Sequence, residues 1–265
     1  MEKSESRNMS EPRCVIVTGA TGGIGKATVR VLVEAGYEVA AVDLDEKLGK
    51  ELVTEFSKLG RRVLFFKADV SNEKEVEQVT KEIADKFERI YGLVNNAGVS
   101  SSQFGKPLKT KELVPEQLQD IFKVNVFGAF YFTKHSIKYL LNRKSGTIVN
   151  VSSMYAIVGS ADSSMYAATK GALLSMTLSD SLHYAEDNIR VNAILPGFIR
   201  TPMLERLSVQ KQVFSGLYEE AISQIPMKRI GDPDEVASLI KFLISEDSSY
   251  ITGARIAIDG GYTAK

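Results

Sequence analysis

Net charge, cysteine and histidine are all scarce in this chain, and each scarcity removes a class of function. Its 33 Lys and Arg residues balance 33 Asp and Glu, so no excess of either sign points to nucleic acid or an anionic membrane. One cysteine, Cys14, allows no internal disulfide and fits a reducing compartment such as the cytoplasm. It lies in an apolar run and reads as packing. Two histidines, His135 and His183, make no metal-ligand cluster with that single cysteine, so no metal is expected. No uncharged apolar run approaches the roughly 20 residues that span a bilayer. The opening MEKSESRNMSEPR has no apolar core, so it does not read as a secretory signal, and residues 1–12 are expected to form a flexible tail. No Pro-, Gly- or Ser-rich linker follows. A chain of 265 residues suits one large α/β domain, here 13–265.

What is present is alternation. Apolar β-branched runs at Cys14–Thr18, Tyr37–Val42, Val63–Ala68, 147–151, Ile189–Leu195 and Arg255–Ile258 read as strands, and a short strand begins at Leu93-Val94. Between them Ile24–Ala35, Glu46–Leu59, Glu73–Glu88, Pro115–Leu141, the stretch bearing Tyr166, and Pro233–Ser245 read as helices. Gly36 and Gly60 end two of them. Ser71 or Asn72 caps the third, and Ser163-Ser164 the one bearing Tyr166. Strand and helix repeated in this way imply a doubly wound parallel sheet with right-handed crossovers and helices on both faces. One long interruption, 198–231, lacks strand alternation and is expected to cover a substrate as a lid.

Two stretches carry chemistry. After the first strand comes Thr18-Gly19-Ala20-Thr21-Gly22-Gly23-Ile24-Gly25. A glycine-rich turn between strand and helix lets backbone approach a pyrophosphate, whose charge the helix N-terminus stabilises. A P-loop reading fails: its first glycine falls on Ala20 and its Ser/Thr on Ala27. Asp43 closes the second strand, 18 residues after Gly25. A carboxylate there accepts hydrogen bonds from ribose hydroxyls and repels a 2′-phosphate, and neither Gly22 nor Leu44 offers a cation. Both features favour NAD over NADP. The alternative for Asp43 is a solvated turn acid.

The second stretch is Ser153 to Lys170. Tyr166 and Lys170 are four residues apart and share a helix face. A phenol with a pKa near 10 is a poor base at neutral pH, and an ammonium beside it is expected to lower that value. Ser153, at the end of a strand, can donate to a substrate oxygen. The trio is suited to taking a proton from an alcohol.

Together these stretches resemble the short-chain dehydrogenase/reductase family, with its TGxxxGxG and YxxxK motifs, over nearly the whole chain from Val15 to Thr263. The resemblance implies a Rossmann-like sheet of about seven strands in the order 3-2-1-4-5-6-7. It implies that Gly19, Thr21, Gly22, Gly23, Ile24 and Gly25 hold the pyrophosphate, that Asp43 and Leu44 meet the ribose, and that Asp69 and Val70 bracket the adenine. Asn96, Ala97 and Gly98 of the NNAG motif line the cofactor. Pro196, Gly197, Ile199 and Thr201 meet the nicotinamide. Asn125, Ser153, Tyr166 and Lys170 form the catalytic tetrad, with 13 positions from Ser to Tyr. Tyr166 is the implied base, Ser153 holds the substrate, Lys170 lowers the phenol pKa and binds ribose, and Asn125 positions a relaying water.

The expected activity is NAD-dependent interconversion of a secondary alcohol and a ketone. A 3-oxoacyl-thioester reductase is the alternative, suggested by Tyr250-Ile251-Thr252-Gly253 and Asp259-Gly260-Gly261. A non-catalytic dinucleotide-binding redox sensor is a further one. Candidate substrate-pocket residues are Ser101, Gln103, Phe104, Tyr155, Ile157, Met203, Leu204, Leu207, Phe214 and Leu217, a set that leans toward an apolar ring or chain. Relatives of this type imply a homotetramer built on the helices near 115–141 and 164–183 and on the last strand, with a homodimer as the alternative.

Overall fold

The structure, a computed structural model, describes residues 12–60, 62–100, 110–160, 163–204, 219 and 221–264. Its strands are Cys14–Thr18 (β1), Glu38–Asp43 (β2), Val63–Lys67 (β3), Ile90–Asn95 (β4), Gly146–Val151 (β5), Ile189–Pro196 (β6) and Arg255–Ile258 (β7). They form one parallel sheet in the order β3-β2-β1-β4-β5-β6-β7. The principal helices are Gly23–Glu34 (α1), Glu46–Phe56 (α2), Glu73–Lys86 (α3), Pro115–Phe122 (α4), Gly128–Arg143 (α5), Ser164–His183 (α6) and Pro233–Ile244 (α7).

Alternation along the strands supplies both faces. Val15 and Val17 pack with Leu32 of α1, Leu52 of α2 and Ile240 of α7 on one face. Cys14 and Ile16 point the other way, toward Val76 and Ile83 of α3 and Phe132 of α5. On that second face Ala193 and Leu195 of β6 meet Leu174 of α6. Cys14 is fully buried, as packing requires.

Most element boundaries match the sequence reading, and the exceptions have causes. β4 begins at Ile90, three residues before Leu93, because Ile90 and Gly92 extend the pairing with β1 and Ile90 and Tyr91 are buried. Gly36 and Gly60 stop their helices with φ of 91° and 76°, a conformation costly to residues bearing a Cβ. Asn72 caps α3 by accepting from the Lys74 amide at 3.2 Å. Ser163 stands at the N-cap of α6 without a side-chain capping bond.

The helix expected over 115–141 is not uniform. Residues Lys123–Phe127 form a π-turn between α4 and α5, where the Gly128 amide reaches back to the Lys123 carbonyl. Gly128 lies so close to β3's exit that an added Cβ would stand 2.8 Å from Val70 Cγ2. The extra residue in the turn swings Asn125 inward. Such bulges in helices commonly mark functional positions.

Because all seven strands run parallel, their carboxyl ends share one edge of the sheet. The glycine loop follows β1, Asp43 ends β2, Asn96 follows β4, and Ser153 follows β5. Sheet order reverses between β1 and β4, and in open α/β sheets that crevice is where ligands bind.

Candidate active site

A cavity of about 600 Å³ opens at this edge. It is lined by every cofactor- and substrate-site residue named above for the motifs: Gly19 to Gly25 apart from Ala20, Asp43, Leu44, Asp69, Val70, Asn96 to Gly98, Ser153, Tyr155, Tyr166, Lys170, Pro196, Gly197, Ile199, Thr201 and Met203. Asn125 is buried beneath it. Of the wider pocket candidates, Leu204 lines the cavity, whereas Ile157 is outside its wall and 51% exposed. Ser101, Gln103, Phe104, Leu207, Phe214 and Leu217 lie outside the described residues, as does the central part of the expected lid.

The glycine loop is shaped by contact distances. Gly19 has φ 63°, and a Cβ there would stand 2.8 Å from Ala97 Cα. A Cβ on Gly25 would fall 2.0 Å from the Gly19 carbonyl oxygen, and one on Gly23 2.7 Å from Thr201 Cγ2. The first-turn amides of α1, at Gly23, Ile24 and Gly25, have no intrahelical acceptor; the first such bond is from Lys26 to Gly22. Asn96 fastens the loop from behind, donating from Nδ2 to the carbonyls of Thr18 (2.9 Å) and Gly19 (3.0 Å). Thr18 Oγ1 accepts the Asn96 and Ala97 amides, each at 3.0 Å. This cradle of bare backbone at a helix N-terminus fits a pyrophosphate.

Asp43 is not a free turn acid. Its Oδ2 accepts from the Thr21 amide at 2.9 Å and the Thr21 hydroxyl at 2.7 Å, and its Oδ1 accepts from the Leu44 amide at 2.7 Å. Lys67, its register neighbour on β3, lies 3.8 Å from Glu46 instead. Among the described residues no ion pair neutralises Asp43. Asp69 similarly organises its own turn, accepting the Ser71 amide and hydroxyl at 2.8 and 2.7 Å.

On the other side of the switch point the chemistry-bearing groups converge. The Ser153 hydroxyl accepts the Tyr155 amide at 3.2 Å, and its side chain stands near enough to Tyr166 to favour the ionised phenol. Lys170 is buried, and its Nζ donates to the Val151 carbonyl at 2.8 Å, 5.5 Å from the centre of the Tyr166 ring. Gly98 makes room for it: a Cβ there would lie 3.3 Å from Asn125 Oδ1 and 3.5 Å from Lys170 Nζ.

The electrostatics correct one expectation. Burial pushes the Tyr166 phenol up to about 12, while the Ser153 side chain pulls the other way and the nearby Tyr155 raises it further. Burial also lowers Lys170 to about 8. In the chain alone desolvation is the largest influence on the phenol, Lys170 does not lower it, and Tyr166 holds its proton. Lys170 is satisfied by a carbonyl and does not reach the phenol oxygen.

The Asn125 side chain is fully engaged within the protein. Its Nδ2 donates to the Val99 carbonyl (2.9 Å) and Thr169 Oγ1 (3.0 Å), and its Oδ1 accepts the Val99 amide (2.8 Å). Both amide protons are used within the protein, so the side chain braces the loop after β4 against α6. Thr169 completes the brace by donating to the Tyr166 carbonyl at 2.7 Å. A buried ladder, Asn95 to Asn150 at 2.9 Å and Asn150 to Thr177 at 2.9 Å, supports the floor.

The residues the motifs did not indicate are Thr169, Phe198, Gln224 and Tyr262. Thr169 lies inside YAATK and was hidden by the motif's wild-card positions. Phe198, Gln224 and Tyr262 come from three separate segments that meet only in the fold, and all three line the cavity.

Comparison with known proteins agrees with this geometry. The family model described as "Enoyl-(Acyl carrier protein) reductase" matches residues 19–263. The 3-oxoacyl-[acyl-carrier-protein] reductase FabG of Thermotoga maritima is 38% identical, over 95% of this chain and 98% of its own length. The cyclohexanol dehydrogenase of an Acinetobacter species is 30% identical across 100% of both chains. Among solved structures, levodione reductase superposes with a TM-score of 0.91 at 32% identity, covering 95% of this chain and 98% of that one. ElxO with NADP bound gives 0.85 at 30%, covering 96% and 100%. The chain belongs to the short-chain dehydrogenase/reductase family. It is an oxidoreductase of CH–OH groups that uses a nicotinamide dinucleotide, moving a hydride between alcohol and carbonyl.

Among the described residues no group of His, Cys, Asp and Glu is placed to hold a metal ion, and no helix is long and apolar enough to cross a membrane.

Proposed function

We propose that the enzyme interconverts a secondary alcohol and a ketone with NAD preferred over NADP, Tyr166 acting as general base and acid. The observation that carries this reading is the placement of Ser153, Tyr166 and the buried Lys170 in the same cavity as the glycine cradle. The dinucleotide, when bound, supplies the hydride acceptor or donor. The chain does the rest. Gly19 to Gly25 and the α1 amides hold the pyrophosphate, Asp43 and Leu44 take the ribose, and Asp69 and Val70 flank the adenine. Asn96, Ala97, Gly98, Pro196, Gly197, Ile199 and Thr201 flank the nicotinamide.

Ser153 orients the substrate oxygen against Tyr166, and Tyr166 accepts the alcohol proton or returns it. For that the phenol must fall from about 12 toward the working pH, which requires positive charge close to its oxygen. Lys170 is the chain's own source. Its amine leaves the Val151 carbonyl and turns toward the ribose and the phenol. Asn125, through Val99 and Thr169, fixes the backbone around both. Tyr155 and Met203 complete the substrate wall, and the 198–231 segment closes over it as a lid.

The NAD preference rests on Asp43. Three close donors hold its carboxylate in place, no cation answers it among the described residues, and a 2′-phosphate brought there meets like charge. A preference of about ten- to a hundredfold is expected. A second reading, reduction of a 3-oxoacyl thioester, is supported by the likeness to FabG. The exposed Leu118 (42%), Phe127 (44%), Phe130 (48%) and Leu182 (79%) on α4, the π-turn, α5 and α6 support assembly into a homotetramer, or a homodimer on one of these faces, and the reading places the enzyme in the cytoplasm.

The deciding experiment is a panel of alcohols, ketones and a 3-oxoacyl thioester with each cofactor, followed by nicotinamide absorbance. Turnover of secondary alcohols with NAD supports the proposal. Turnover of the thioester alone, with NADPH, replaces it. Dinucleotide binding without turnover of any of these leaves the sensor reading.

A further inference from the structure

Three aromatic rings from distant segments meet in the cavity. Phe198, just after β6, stands edge-on to Tyr155, with centroids 6.4 Å apart and planes at 89°. Its other side meets Tyr262, from the last turn of the chain, at 5.9 Å and 74°. All three rings line the cavity and remain partly exposed to it. Tyr155 is close enough to the reacting phenol to raise the Tyr166 proton affinity, so the cluster begins at the chemical centre.

Tyr262 is held there by an elaborate anchor. Asp259 accepts the amides of Gly261 and Thr263, each at 2.9 Å, and the Thr263 hydroxyl at 2.6 Å. Gly260 and Gly261 turn the chain with φ of 64° and 87°. The Gly260 carbonyl accepts the Met227 amide at 3.1 Å, and the Tyr262 hydroxyl meets Gln224 Oε1 at 3.1 Å. The C-terminal turn is thus tied to the base of the segment expected to cover the substrate. An aromatic ring fixed in this way needs no ordering when a ligand arrives.

We propose that Tyr155, Phe198 and Tyr262 form a preorganised aromatic wall that selects alcohols and ketones carrying a compact apolar ring, with Tyr262 as the residue that sets this specificity. The proposal rests on the secondary-alcohol reading above and names its substrate class. Edge-to-face clusters offer ring edges and faces to a flat or puckered ring, which fills the angle between them. A flexible open chain of the same carbon count touches fewer of these surfaces and loses more rotational freedom.

The test compares cyclohexanol with 2-hexanol, and cyclohexanone with 2-hexanone, using the full-length enzyme and saturating cofactor. The wild-type enzyme is expected to favour the ring about tenfold or more in kcat/KM. Tyr262→Ala should bring that ratio to within about twofold of unity while the cofactor KM stays the same. Tyr262→Phe, which keeps the ring and loses the Gln224 contact, should keep the preference. Equal loss for ring and chain in Tyr262→Ala, or no ring preference in the wild type, overturns the proposal. Reduction of acetoacetyl-CoA far faster than cyclohexanone also overturns it. Calorimetry of cyclohexanone on the enzyme–NADH complex separates the two layers. Binding that Tyr262→Ala abolishes, without turnover of any alcohol or ketone, keeps the wall and removes the alcohol reading; no binding removes the wall. Phe198→Ala gives an independent second variant should Tyr262→Ala fail to fold.

Discussion

The two halves of the cavity are built from opposite materials. The half contributed by β1 and β2 is mostly backbone: glycines, first-turn amides, and one carboxylate with three close donors. Its carboxylate is held before any ligand arrives, whereas the first-turn amides of α1 have no intrahelical acceptor. The half contributed by β5 and α6 is side chains buried against their interest. Tyr166 is pushed to about 12 and Lys170 down to about 8, both by loss of water. On the proposed reading the first half holds the cofactor and the second carries the proton transfer. The second half stores electrostatic cost that positive charge near the phenol would relieve. Titratable groups perturbed by burial in a cleft are where chemistry is expected.

The largest expected effect breaks the second half alone. Tyr166→Phe keeps the ring and its packing, and should lose on the order of 10² to 10⁴ in kcat with cofactor affinity little changed. A variant that keeps more than about a tenth of kcat with an unchanged pH profile would place the base elsewhere. Gly25→Ala breaks the first half instead. A Cβ 2.0 Å from the Gly19 oxygen must displace the loop, so dinucleotide affinity should fall by roughly 10²-fold, read by calorimetry. Unaltered affinity would mean that this loop does not carry the pyrophosphate.

A third variant sharpens the contrast through stability. Lys170→Met removes a buried cation whose charged form is disfavoured by about 3 kcal/mol if its pKa moves from 10.5 to about 8. Part of that is offset by losing the bond to the Val151 carbonyl, so a net gain of about 1–3 kcal/mol near neutral pH is expected by denaturant titration, with activity lost. The folded pKa lies below the unfolded one. The penalty is therefore fully present below pH about 8 and fades as pH rises toward 10.5, so wild type should gain on the variant across that window. A difference that does not change with pH would show that Lys170 is not desolvated as described.

The smallest expected effect concerns the brace. Thr169→Val strands an amide proton of Asn125 and should cost about 1–3 kcal/mol, with Thr169→Ser restoring most of it. Equal stability in all three proteins would remove the brace from the account.

Much of this was legible in the chain. Alternation of β-branched and amphipathic runs announced a parallel doubly wound sheet, because strand and helix periods differ and a crossover needs a helix. Gly19, Gly23, Gly25, Asp43, Ser153, Tyr166 and Lys170 were readable because each sits at a fixed offset from a strand end, and all strand ends fall on one edge. The π-turn at Lys123–Phe127 was not readable, since 115–141 has an unbroken helical pattern and the extra residue is induced by contacts with Val70, Val99 and Thr169. The direction of the Tyr166 shift was misread for the chain alone. Helical spacing shows that Lys170 shares a face with Tyr166, but whether charge or desolvation wins depends on how much water the fold removes.

The sequence by itself determined the class of fold and pointed to the candidate dinucleotide cradle and the candidate proton-transferring groups, because these depend on local periods and short offsets. Only the tertiary structure decided that Asn125 is a brace, that Asp43 is clamped by Thr21, and that Tyr155, Phe198 and Tyr262 share one wall. Those contacts join residues 22 to 64 positions apart, and no local pattern encodes a distance that is set by how the strands and helices pack.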